Sequence, residues 1–332
     1  MTTNAHPVPL HLPKAFLRGR RANRVLPGDA FDAAGRKVLR RLYMEMARHQ
    51  PGIVGSHDKR AVHDMRVAVR RIRAAFDLFE QYFPRKAVKT YGRFLKELGG
   101  LLGAVRDTDV MIENGQAYAE SLPEAQRAAF EPLIDFIKTQ RAAARQPLSD
   151  FLTGGKYLDF TGEFPIFLSD PGSKGSRAGH LSRVSELAPL LILERLGEVR
   201  SFDGHIESLS IEELHGLRGS IKRLRYALEF FQEPLGPQAA VLISNLKNVQ
   251  NHLGQLNDAS LAAGAIQGFI DQWNARQTGL PASEQSSSVP FLPYLTETLS
   301  KMDVLVQGFP AAWEQFNTAD FRKRLARAIG RL

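Results

Sequence analysis

His63-Asp-Met-Arg66-Val-Ala-Val-Arg70-Arg71-Ile-Arg73-Ala-Ala-Phe76-Asp-Leu-Phe79 is the stretch that decides how this chain reads. Set on a helix at about 100° per residue, His63, Arg66, Arg70 and Arg73 fall within an arc of roughly 80°. Met65, Val69, Ile72, Phe76 and Phe79 fall within a similar arc on the opposite side. One face can be buried, and the other carries an imidazole and three guanidinium groups in a row about 15 Å long. Like charges three or four residues apart destabilise a helix by a few tenths of a kcal/mol per pair. A stripe unrelieved by acids therefore calls for a reason other than solubility.

The pattern recurs 152 positions later, where His215, Arg218, Lys222 and Arg225 answer the polar stripe position by position. Leu217, Ile221, Leu224, Leu228 and Phe231 answer the apolar one. Packing explains a repeated apolar pattern; it does not explain a repeated polar one. The repeat reaches into the next helix. Leu95-Lys96 through Leu102-Gly103 to Arg106-Asp107 aligns with Leu246-Lys247 through Leu253-Gly254 to Asn257-Asp258, now at an offset of 151. Upstream, Leu39-Arg-Arg41-Leu42 is echoed by Leu193-Glu-Arg195-Leu196.

Helical periodicity runs from Asp29 to about His49, from near Ser56 or His57 to Phe83, from Arg85 to Leu122 and over 124–146. After a break it resumes over Leu181–Val199, 210–233, the segment around Leu246, 292–307 and Thr318–Leu332. No strand pattern of any length appears, so the chain reads as all-α and internally duplicated. Residues 1–27, with prolines and Arg18, Arg20, Arg21 and Arg24, read as an extended basic leader. Residues 28–150 form the first repeat and 181–332 the second. Gly154-Gly155, Phe164-Pro165 and Asp170-Pro-Gly-Ser make 151–180 a packed connector loop between them.

With 332 residues a sizeable core is available, and hydrophobic and charged contents of 43% and 24% are ordinary for a globular protein. The balance of 44 Lys+Arg over 35 Asp+Glu points to a polyanionic partner. The absence of cysteine excludes disulfides, thiolate catalysis and Cys-ligated metal sites. No apolar run approaches the roughly 20 residues that span a bilayer, and the N-terminal region has no secretory h-region. A cytoplasmic protein is expected.

The doubled H-x-x-R-x-x-x-[RK]-R-x-R, each copy followed by K-x-x-x-x-x-x-L-G-x-x-x-D, resembles the CHAD domain (conserved histidine α-helical domain) over about residues 28–332. The resemblance implies two four-helix bundles about a pseudo-twofold axis, with a central basic cavity that binds inorganic polyphosphate, and association with polyphosphate granules. By that resemblance the phosphate-binding residues are His63, Arg66, Arg70, Arg73 and Lys96, with His215, Arg218, Lys222, Arg225 and Lys247. Arg41, Arg195, Arg71 and Arg223 are weaker candidates, and Asp107 and Asp258 are structural or orienting residues. Many members carry a fused triphosphate tunnel domain with an E-x-E-x-K signature. None occurs here, so a stand-alone, non-catalytic domain without cofactor is expected.

Three rival readings stand beside this one. Metal binding by His63 and His215 conflicts with the arginines beside each, which repel a cation. A phosphohydrolase needs a nucleophile or a metal-holding acid cluster; Asp107-Thr-Asp109-Val matches such a motif only superficially and is lost in the second repeat. Nucleic acid is the closest rival, since its electrostatic attraction has the same origin. It lacks aromatic residues interleaved on the stripe, where only Tyr226 stands near. The C-terminal helix reads as closing the second bundle, or else as a membrane-surface helix.

Overall fold

The structure is a computed structural model that describes residues 13, 16, 23–56, 58–169 and 182–332. Most of the expected basic leader and the Asp170-Pro-Gly-Ser segment lie outside the described residues. Among those described there is no strand, and the chain is all-α. In order the helices are α1 (Phe31–Ala47), α2 (Gln50–Val54), α3 (Lys59–Phe79), α4 (Arg85–Ser121), α5 (Glu124–Thr153) and α6 (Gly155–Ser169). They continue as α7 (Val184–Arg200), α8 (Ile211–Phe230), α9 (Gln232–Leu235), α10 (Gln238–Gln277), α11 (Leu292–Phe316) and α12 (Ala319–Ile329).

The sequence dictates most of these ends. Asp58 caps α3 by accepting from the Arg60 backbone amide, and Ser210 caps α8 in a reciprocal box with Glu213. Pro84, Pro123 and Pro237 stand immediately before α4, α5 and α10, where a missing N–H goes unnoticed. The two stripe helices, α3 and α8, bury the apolar residues that periodicity assigns to them, from Met65 to Phe79 and from Leu217 to Phe231. Each is flanked by a preceding helix, α1 or α7, and leads into a long hairpin, α4–α5 or α10–α11.

One core serves both halves of the chain. Phe31 and Phe79 from the first half close on Phe231 from the second, with ring centroids 5.8 and 5.9 Å apart. A smaller apolar cluster joins the far ends of the hairpins, where Tyr118 packs on Tyr294 and Phe136 on Phe269. The chain also stitches its halves at their starts: the Phe31 amide donates to Ser182 and the Val184 amide to Asp29. At the C-terminus, α12 buries Phe321, Leu325 and Ala328 and packs on α10, closing the second half.

The region expected to be a connector loop departs from that expectation. α5 runs on to Thr153 and Gly155–Ser169 is a helix despite Pro165. Tyr157, Phe160, Phe164 and Leu168 recur every three or four residues and are buried, the three rings packing on Tyr43, Tyr91 and Phe94, so burial outweighs the breakers. Pro165 cannot donate to the Thr161 carbonyl one turn back. The buried Tyr43 hydroxyl donates to that carbonyl instead, at 3.2 Å. Tyr43→Phe is therefore expected to cost about 1–2 kcal/mol in urea unfolding, because it strands a buried carbonyl without changing packing volume.

Candidate functional site

α3 and α8 pack against each other. Part of each polar stripe converges on an open cleft of about 430 Å³. α3 supplies His63, Arg66 and Arg70, and α8 supplies Arg218. α4 adds Arg106 and Asp107, while α10 adds Gln250, Gln255 and Asp258.

The guanidinium groups are held at different tensions. Arg66 donates to Asp107 Oδ1 at 3.2 Å, and Arg70 donates through Nε to the Tyr226 hydroxyl at 2.8 Å. Arg218 is half-buried and its Nε has no hydrogen-bond partner among the described residues. Burial lowers its pKa, with the nearby Asp258 opposing and Arg70 and Arg66 reinforcing the shift. Lys222 sits half-buried within reach of the same groups and forms no ion pair among the described residues. Burial first, then the charges of Arg218, Arg70, Arg66 and Arg225, push its pKa down to about 7. His63 is held below the usual imidazole value by burial and by Arg106. Asp107 is pushed up by burial and by Asp258, against the pull of Arg66.

The other residues expected at the site lie elsewhere. Arg225 is buried, donates to Gln250 Oε1 at 2.7 Å, pairs with Glu229 and lies over the Tyr226 ring. Glu229 also receives Arg71 at 2.8 Å, so Arg71 turns inward. Arg41 pairs with Glu233, and Arg195 and Arg223 share Glu198. Lys247 lines a separate groove of about 340 Å³ with Arg41 and Arg71. Arg73 and Lys96 are exposed and His215 half-buried, all three outside the cleft lining. Conversely, Arg106, Gln250 and Gln255 join the cleft without having been candidates. Arg106 could have been suspected from its place beside the repeated aspartate; the two glutamines carry no such signal. Among the described residues no group of three or more His, Asp or Glu is placed to hold a metal ion.

The arrangement is a donor-rich concavity, suited to an anion with many equivalent oxygens. The family profile of the CHAD domain matches residues 37–267, well over half of the chain. The chain belongs to the CHAD domain family. Its fold is similar to the crystal structure of the CHAD domain from the plant Ricinus communis, with a TM-score of 0.62 and 20% identity over 92% of this chain and 94% of that one. It is similar also to PptA from Streptomyces chartreusis, with a TM-score of 0.62 and 16% identity over 86% of this chain and 99% of that one. No functionally curated protein matches the sequence. No described helix of this CHAD domain is long and apolar enough to cross a membrane.

Proposed function

We propose that this CHAD domain binds inorganic polyphosphate in the cleft between α3, α4, α8 and α10, without turning it over, and that binding anchors the protein to polyphosphate granules. The observation that carries the reading is an excess of cationic side chains over acidic ones. Arg66, Arg70, Arg106, Arg218 and Lys222 lie in or beside the cleft, against Asp107 and Asp258. Such crowding is unfavourable in the free protein and is relieved by a polyanion. A phosphate chain offers the same oxygens at every unit, which guanidinium forks can grip in any register. Asp107 is engaged by Arg66, a pairing that supports a positioning role.

Nucleic acid shares the electrostatic attraction, but the described residues lining the cleft include no Phe, Tyr or Trp side chain, and the imidazole of His63 is the one ring among them on which a base could stack. Titration of long-chain polyphosphate with duplex DNA of equal charge as competitor tests the choice. Polyphosphate is expected to win, and its affinity to fall about 10²–10³-fold between 50 and 200 mM salt, for roughly five cationic contacts. Equal or better competition by DNA would move the reading to a nucleic-acid protein. Release of orthophosphate above blank, lost in His63→Ala, would overturn the non-catalytic part.

A further inference from the structure

Two ways lead out of the cleft, and they differ in charge. Toward the tips of the hairpins it continues into a groove between α4, α10 and α11 whose charged lining is Asp258, Glu297 and Lys301. In the other direction His63 and Arg106 also line a depression with Lys59 and Arg60 at the start of α3. Lys59 in turn lines a groove of about 570 Å³ that carries Lys138, Arg141 and Arg145 from α5 above an apolar floor. The shared residues make these hollows one continuous path.

Carboxylates along the path are few and mostly committed. Glu113 faces both Lys59 and Arg106, at 3.7 and 3.6 Å, and Asp64 lies in the depression. Fully buried Asp109 pairs with Arg141, and Glu131 and Asp135 occupy Lys138. Arg60 and Arg145 form no ion pair among the described residues. Partial burial first, then the charge of Arg141, hold Arg145 below its ordinary pKa, against the opposing pull of Asp109.

The path is also confined to one half of the chain. By the repeat offset, Lys59, Arg60 and Arg106 correspond to Ile211, Glu212 and Asn257, and Asp109 to Ser260. His63, Arg66 and Arg70 in the cleft have basic counterparts in the second repeat, whereas Lys59, Arg60 and Arg106 on the path have none.

We propose that a polyphosphate chain too long for the cleft leaves it on one side only, over the start of α3 and into the α4–α5 groove, held by Lys59, Arg60, Arg106 and Arg145. This rests on the cleft being the polyphosphate site. It adds that affinity grows with chain length through contacts from the first half alone.

The test compares tripolyphosphate with long-chain polyphosphate on the whole protein carrying Lys59→Gln, Arg60→Gln and Arg145→Gln together. None of these residues is ion-paired with a buried carboxylate, and Asp109 keeps its pair with Arg141, so the fold is expected to survive. A control with the same loss of charge carries Lys301→Gln, Lys323→Gln and Arg327→Gln. In the path variant, long-chain affinity is expected to fall about tenfold or more and its salt slope to shrink by about three, one per lost contact. Tripolyphosphate affinity should stay within about twofold, and the control should lose far less for the long chain. Equal loss of long-chain affinity in variant and control, or no loss in either, would overturn the path while leaving the cleft intact. Failure of the unmodified protein to bind either polymer would overturn the cleft itself.

Discussion

Replacing Arg66 and Arg218 together by Glu is expected to abolish polyphosphate binding while far-ultraviolet circular dichroism stays helical. These two residues reach the cleft from different halves of the chain, so a polyanion between α3 and α8 cannot avoid both. A hydrogen bond to a charged group is worth about 1.5–3 kcal/mol, so removing two donors should weaken binding by roughly 10²–10⁴-fold before any repulsion is counted. Reversal adds two negative charges beside Asp107 and Asp258 and should push affinity out of range. Arg66→Gln with Arg218→Gln is the milder companion, and it separates loss of contact from like-charge strain in the fold. Retained affinity in a folded double variant would place the binding site elsewhere.

The second large effect is one of pH. In the free protein Lys222 titrates near 7, because burial and four arginines, Arg218 and Arg225 on its own helix and Arg66 and Arg70 on α3, disfavour its charged form. A polyanion reverses that balance and raises the pKa toward the ordinary lysine value. Between the two values, binding takes up close to one proton. Affinity should then be highest below pH 7 and fall by up to about tenfold per unit as pH rises above it. His63 changes in the same direction, since its free pKa is also depressed and a phosphate favours its cation.

Folding stability runs the opposite way. The unfolded chain keeps Lys222 protonated up to its normal pKa, so between about 7 and 10.4 it binds more protons than the native state. The penalty is thus fully present below pH 7 and relieved as pH rises. Lys222→Met should stabilise the free protein by on the order of 1 kcal/mol at pH 6, after allowance for solvent screening, and flatten the pH dependence of binding. Proton uptake measured by calorimetry in buffers of different ionisation enthalpy checks the first statement, and urea unfolding at pH 6 and 9 the second. A pH profile unchanged in Lys222→Met would remove the lysine from the account.

Much of the fold was legible because local signals agreed with the packing. Both stripe helices and the prolines ahead of the long helices stand in the sequence as they do in the structure, whereas the first stripe helix starts at Lys59 behind the Asp58 cap, two to three residues later than its periodicity suggests. α6 was not legible: Gly154, Gly155 and Pro165 argue for a loop, and only the aromatic surface of α1 and α4 together with the Tyr43 hydroxyl makes a helix favourable there. At the cleft, residues on one helix could be ordered by angle, whereas partners across helices could not. Glu229 lies one turn beyond Arg225, a pairing visible in the sequence, but its second guest, Arg71, comes from the other half. The positions of Lys96 and Lys247 depend on how the long helices are rotated against α3 and α8, which periodicity alone leaves open.

Crystals grown with tripolyphosphate would show where the anion sits. Phosphate oxygens are expected within hydrogen-bond distance of the guanidinium groups of Arg66, Arg70 and Arg218, with Lys222 turned toward them. An empty cleft with the anion seated instead in the groove of Arg41, Arg71 and Lys247 would contradict the cleft as the binding site.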